Sequence, residues 1–218
     1  MASSETDIGN LALGRAGSDK TILSFNEGSK EARLCLRFYE FCRDEVLERA
    51  PWPFAVRVQA LAALPVATLL PGWQYQYALP TDCLNVLAVV PASDVTDVSN
   101  YYCACNNTPW APVRPCVYAF RKAMNDAGTL PTVLTNVSDA YIVYVSRVIN
   151  TAAYTAMFVG LLADRLAMEI SIPLTLDPRW FQVCQTRYAA AFIDTGSRQF
   201  EQQANDPPPD APSIRARY

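Results

Sequence analysis

The stretch TAAYTAMFVGLLADRLAMEISIPLTLDPRWFQVCQTRYAAAFIDTGSRQFEQQAN, residues 151–205, decides how the rest of the chain is read. Tyr154, Phe158, Leu162, Leu166 and Ile170 recur at intervals of four, which stacks them on one face of a helix. Pro173 is expected to end that helix, because proline brings no N–H to the hydrogen-bond ladder. Thr175 and Leu176 then make the turn. Asp177-Pro178 restarts the chain with a cap acceptor followed by a proline at the first helical position. The second helix is expected to bury Phe181, Cys184, Tyr188, Ala191 and Phe192 and to fade after Gly196. Such a hairpin cannot bury both stripes alone, so the remaining chain must supply a partner surface.

A chain of 218 residues lies between one domain and two. A hydrophobic fraction of 51% is ample for a packed core, and a charged fraction of 18% is below the usual quarter. With 11% aromatics, this points to surface that ends up covered by a partner or by a ring neighbour. The net charge of −3 and a pI of about 5.0 give no basis for broad non-specific nucleic-acid binding. The longest weakly polar run, Ala152 to Ala163, is broken by Asp164 and Arg165 well short of the ~20 residues a bilayer needs. Met1 to Asp7 is acidic and has no apolar core, so no signal peptide is expected. Seven cysteines without an export signal are expected to be reduced thiols in a cytoplasmic setting.

From the start of the chain, Ser4 with Asp7 three positions on forms a capping-box pattern, leading into a short helix through Ile8, Leu11, Ala12 and Ala16 that stops at Gly17. Residues 18–28 read as a connector with an apolar patch at Ile22-Leu23. Ser29 caps the next helix, which runs to Ala50 with Ala32, Cys35, Leu36, Tyr39, Val46 and Leu47 as its buried stripe. Its other side carries Lys30, Arg33 and Arg37 in the first half and Glu40, Asp44, Glu45 and Glu48 in the second. Apart from Glu31, Arg43 and Arg49, that order opposes the helix macrodipole. It reads either as a solvated face, with Glu45 and Arg49 paired at i,i+4, or as a plus end and a minus end that meet neighbouring copies head to tail.

Pro51-Trp52-Pro53-Phe54 stops this helix in a rigid aromatic corner. Ala55 to Ala67 is a short helix or an extended segment. The period then changes. Trp73, Tyr75, Tyr77 and Leu79 alternate with Gln74, Gln76 and Ala78, as a half-buried strand does. Further strands are expected at Leu84 to Val90, Val117 to Lys122, Thr132 to Thr135 and Tyr141 to Val145, the last apolar on both faces and therefore central. Asn125 to Gly128 is turn chemistry. Residues 91–115 form a long excursion holding Tyr101, Tyr102 and Trp110. From Asn205 the prolines exclude a helix, and an extended tail is expected. The fold class is thus α+β: a helical bundle built from both chain ends (1–72 and 148–205), an inserted mainly antiparallel β domain (73–147) and a Pro-rich tail (206–218).

The chain has no histidine, which removes His-based triads, Cys-His dyads and His metal ligands. Gly17 to Thr21 lacks the upstream glycine and preceding strand of a phosphate loop. Asp164, Glu169 and Asp177 could serve as an acid and base pair, as in a carboxylate-dependent cell-wall hydrolase, but an ion network and a helix cap account for them as well. Cys83, Cys103, Cys105 and Cys116 could hold zinc, although the spacing is not that of paired knuckles. Trp73, Tyr75 and Tyr77 could form a stacking platform for a nucleic acid, or serve a carbohydrate- or peptide-binding domain, but no Lys or Arg interleaves them. No catalytic residue, cofactor or metal is assigned.

Certain stretches, taken in order, carry a resemblance. Ile8-Gly9-Asn10-Leu11-Ala12-Leu13 leads to a Ser29-x-x-Ala32 helix ending in Val46-Leu47-Glu48-Arg49-Ala50-Pro51-Trp52-Pro53-Phe54. Tyr75-Gln76-Tyr77-Ala78-Leu79-Pro80-Thr81-Asp82-Cys83-Leu84 follows. Near the end stand Phe158-x-x-Leu161-Leu162-Ala163-x-x-Leu166-Ala167, Pro173-Leu174-Thr175, Tyr188-x-x-Ala191 and Glu201. Together they resemble the head–tail adaptor proteins of tailed bacteriophages, a group that includes the tail tubular protein A and head-completion proteins of short-tailed phages. The resemblance covers nearly the whole chain except residues 91–115. It implies a structural virion protein without enzyme activity, in a ring of usually twelve copies beneath the portal. The channel passes double-stranded DNA without reading its sequence, and the lower face receives the tail tube or nozzle. Assembly in the host bacterial cytoplasm is expected, with no membrane partner. Lys30, Arg33, Arg37, Glu40, Asp44, Glu45 and Glu48 are then candidate subunit-interface residues. Pro207, Pro208, Pro209, Pro212, Ile214, Arg215, Arg217 and Tyr218 are candidates for portal docking.

Overall fold

A computed structural model describes residues 4–65, 71–92, 118–125 and 127–203, with only the backbone of 196–203. The protein is mixed α+β with antiparallel sheets. The described residues divide into two compact units. One comprises those up to Cys42 together with those from Tyr154 onward; the other is Arg43–Ala153.

The helical unit begins with α1 (Glu5–Arg15). Its capping box is formed: the Asp7 amide donates to Ser4 Oγ at 3.1 Å, and the Ser4 amide donates to Asp7 Oδ2 at 2.9 Å. The Ser4 amide bond, and then the Ser4 hydroxyl, hold the Asp7 carboxyl below its usual range. After α1, Gly17 sits at φ +85, and a Cβ there would lie 2.7 Å from Trp180 Cε2, so neither the backbone nor the space tolerates a side chain. The connector is fastened by Asn10, whose amide accepts from the Ile22 N–H at 2.8 Å and donates to the Ile22 carbonyl at 2.9 Å. That buries Ile22 and leaves Leu23 in solvent. Ser29 Oγ accepts from the Ala32 amide at 3.1 Å and opens α2 (Lys30–Arg49). The buried stripe of α2 differs from expectation at one place. Leu36 is 51% exposed, and Cys42 and Arg43 fall on the inner side instead. A 3.6-residue period puts Leu36 on the face of Arg33 and Glu40.

In the same unit, α3 (Ala156–Thr175) starts from a Thr155 cap and packs against α1 and α4 (Pro178–Gln203). Phe158, Leu161, Leu162, Ala163, Leu166, Ala167 and Ile170 are all buried, a wider stripe than the four-residue spacing predicts, while Tyr154 is half-buried. Pro173 does not end the helix. It lies inside the last turn, where a single ladder bond is lost, and the chain stops at Leu176, in the left-handed conformation at φ +58, whose N–H donates to Ile172 O at 2.9 Å. On α4, Cys184 and Tyr188 are buried, whereas Phe181, Ala191 and Phe192 are half-buried and Thr195 is inside.

In the β unit, the tail of α2 leads to Trp52, which is fully buried and donates its indole N–H to Val46 O at 2.9 Å. Residues 56–63, left open between helix and extended chain by the sequence, are β1 (Val56–Ala60) and β2 (Ala62–Ala63). Val56 and Val58 alternating with Arg57 and Gln59 suits an extended chain. The remaining strands are β3 (Tyr75–Ala78), β4 (Cys83–Pro91), β5 (Phe120–Met124), β6 (Pro131–Thr135) and β7 (Ala140–Ser146). One sheet has the order β1-β7-β4 and the other β2-β3-β6-β5, every pairing antiparallel. Strand β7 is central in its sheet, as its two apolar faces require. The third expected strand is shifted toward the C-terminus, at 120–124. Alternation fails at Gln76, which is buried and donates to Thr132 Oγ1 at 3.0 Å.

Phe158 is fully enclosed and lies 4.6 Å, ring to ring, from Tyr154. Phe158→Ala should therefore destabilise the helical unit by about 3–5 kcal/mol through lost burial and a residual cavity. Denaturant unfolding followed on the helical signal measures it, and an unchanged midpoint would show that this face of α3 contributes no core.

Candidate functional site

The surface that invites a function is the outer face of α2. Lys30, Arg33, Arg37, Glu40 and Glu48 are exposed, and Leu36 and Phe41 emerge among them at 51% and 59%. Arg37 lies over the Phe38 ring at 5.5 Å. Asp44 and Glu45 are half-buried and already engaged within the chain. Asp44 accepts from Arg43 Nε and from Arg147 Nε at 2.9 and 2.8 Å, and Glu45 from Arg49 at 2.8 Å. The first pairing compensates the nearly buried Arg43 guanidinium. Glu31 points inward, and the hydrogen bond from Lys20 at 2.9 Å holds its carboxyl below the usual range. The structure thus leaves a basic first half, an acidic second half and two apolar side chains between them facing solvent.

A second exposed face runs along α4. Arg179, Val183, Thr186, Arg187, Ala190 and Asp194 lie on its outer side, flanked by Trp180 and Ile193. Periodicity called attention to the buried side of this helix only. The exposed side was legible as the complementary set of positions, one turn apart from Arg179 onward.

The three carboxylates considered for catalysis each have a structural partner. Asp164 is buried, with Arg15 Nη1 at 3.1 Å and Arg187 Nε at 3.5 Å. Arg15 also donates to the Gly160 carbonyl at 2.6 Å. Burial pushes the Asp164 carboxyl up, and the two guanidiniums pull it back only in part. Glu169 accepts from Arg165 at 2.6 Å, and Asp177 Oδ1 accepts from the Arg179 amide at the start of α4. Tyr77 is a core residue, its hydroxyl donating to Val137 O at 2.9 Å; Tyr75 stacks beside it at 6.3 Å, and Trp73 is half-buried. Cys83 is half-buried with its thiol pushed up to about 11 by desolvation, which keeps it protonated and unreactive. Cys103, Cys105, Cys116, residues 93–117 as a whole, and Pro207 to Tyr218 lie outside the described residues. Among the described residues no group of three metal-ligating side chains converges, and no helix is long and apolar enough to cross a membrane.

No protein-family model matches the sequence, and no curated protein matches it either.

Asp164 makes a testable claim. Asp164→Ala leaves the part-buried Arg15 guanidinium uncompensated and should cost about 3–5 kcal/mol in unfolding free energy. Replacing both partners, Arg15→Met with Asp164→Leu, should recover most of that loss, because neither charge is then desolvated. Urea titration of the two variants decides it; equal losses would mean the pair is not the reason for the cost.

Proposed function

We propose that this chain is a structural virion protein, a head–tail adaptor that forms a ring, of twelve copies by family resemblance, between the portal and the tail tube or nozzle of a tailed bacteriophage. The observation that carries the reading is the order of parts. A capped helix, a Ser29-initiated helix ending in Pro51-Trp52-Pro53-Phe54, antiparallel strands and a closing helical pair follow one another as in that family. The helical bundle built from both chain ends, the inserted β domain and the extended tail belong to the same reading. The exposed face of α2, with its charges segregated by sign, supplies a surface suited to repeated contacts between copies. An acidic chain lining a channel lets double-stranded DNA slide without holding its phosphates. The role is mechanical, made in the host cytoplasm and carried at the head–tail junction, without cofactor or catalysis.

The proposal is tested by mixing the protein with purified portal rings and examining the product by sedimentation and electron microscopy. Rings of this chain seated on the portal are expected, and a chain that stays monomeric beside the portal overturns the reading. Deleting residues 206–218 should leave helix content and thermal stability unchanged while abolishing or greatly weakening co-sedimentation with portal rings; full binding by the truncated protein would remove the tail from the contact.

A further inference from the structure

We infer that the outer face of α2 in one copy docks antiparallel against the outer face of α4 in a second copy, with Arg33 opposite Asp194, Glu40 opposite Arg187, and Glu48 opposite Arg179. The inference deepens the ring reading and rests on it for its biological setting.

It comes from matched spacing. Fifteen residues separate Arg33 from Glu48 on α2, and fifteen separate Arg179 from Asp194 on α4, a span of roughly 22 Å in each helix. Glu40 lies eight residues before Glu48, and Arg187 lies eight residues after Arg179. One antiparallel register therefore brings all three opposite-sign pairs into line at once. All six residues are exposed. Arg187, already 3.5 Å from Asp164 within its own chain, keeps a side chain 49% exposed and can serve both carboxylates with its several donors. The same register puts Leu36 opposite Ala191 and next to the exposed Ala190, whose small side chains leave room for it, and Phe41 opposite Thr186 with Val183 about one turn away. Leu36, Phe41 and Val183 are each half exposed or more in the isolated chain. The contact thus has an apolar middle between charged ends, the usual anatomy of an interface.

The order of charges gains an explanation. Glu48 stands in the last turn of α2 and Arg179 in the first turn of α4, each at the end its own helix dipole disfavours. Docked antiparallel, Glu48 meets the positive N-terminal end of α4, and Arg179 meets the negative C-terminal end of α2. The two faces belong to different helices, and within the ring reading the contact runs head to tail, propagating from copy to copy until it closes.

The test uses the full chain and the exposed pair Glu48 and Arg179, the latter with a side chain 89% exposed, so neither substitution disturbs a core. Glu48→Arg and Arg179→Glu are made singly and together, checked for unchanged circular dichroism, and followed by sedimentation velocity over a range of concentrations, at low and high salt, with and without portal rings. Each single reversal should weaken self-association on the order of tenfold. The double variant should regain it. So should an equimolar mixture of the two single variants, because each supplies the face that the other needs. High salt should weaken wild-type association, since exposed charges are screened beyond about 10 Å at 0.1 M. Single variants that associate like the wild type, or a double variant as weak as the singles, overturn this pairing and leave the adaptor reading standing. The full exchange pattern with no ring on the portal keeps the pairing and removes the adaptor reading. A wild-type chain that associates under none of these conditions overturns both.

Discussion

A carboxylate taken out of water has to be met by cations, and in the helical unit Asp164 draws them from opposite regions of the sequence. Arg15 ends α1 and Arg187 sits midway along α4, so ion pairs to one buried oxygen link three helices. A change of phase in α1 by one residue would turn Arg15 away and leave the Asp164 charge inside without its closer partner. Gly160 contributes by leaving its carbonyl open to the same guanidinium, one turn before Asp164 on α3. Leu13 of α1 and Leu161, Ala163 and Ala167 of α3, all buried, supply burial energy in the same unit. Burial of apolar side chains is non-directional, whereas the ion cluster ties α1, α3 and α4 together at named positions.

Features set by neighbours in sequence were legible without coordinates. The Ser4–Asp7 box, the Ser29 cap, the apolar stripe of α3 and the central position of β7 all follow from spacing within one element. Features set by contacts between distant residues were not. Nothing local marks Asn10 as the side chain that brackets Ile22, or Arg147 as a partner of Asp44. Gln76 looked like an outward-facing strand residue because its partner Thr132 lies on another strand. Pro173 does not stop α3, since a proline in a final turn removes only one bond while the cap is set by Leu176. At the candidate site the sequence marks the charged residues of α2 as a group. It did not separate Asp44 and Glu45, which are engaged within the chain, from those left in solvent, nor did it reveal Leu36 and Phe41 among them.

The corner at Pro51-Trp52-Pro53-Phe54 illustrates how the β unit begins. A helix C-terminus leaves four carbonyls without intrahelical donors. Trp52 folds back and satisfies that of Val46 with its indole, which allows the ring to be buried with its one polar atom paired. The Ala55 amide then donates to Trp52 O, and the Ala55 carbonyl accepts from both the amide and the hydroxyl of Ser146. The end of α2 is thereby tied to the end of β7 through a few residues, and the two prolines restrict the alternatives open to the unfolded corner.

Because Arg43–Ala153 interrupts the helical unit, the order of synthesis matters. A ribosome releases both sheets as one unbroken stretch, whereas α1 emerges well before the α3 that covers it. At roughly 5–20 residues per second that delay is on the order of ten seconds. During it, Ile8, Ala12 and Leu13 have no α3 to pack against. The nascent β unit can mature in the interval, and the helical unit closes only when the chain has been read past Arg187. A product of interrupted translation lacks the second guanidinium for Asp164 and the covering helix, and so presents uncovered apolar surface to chaperones and proteases. Completeness of the polypeptide is built into the conditions for closing its helical core.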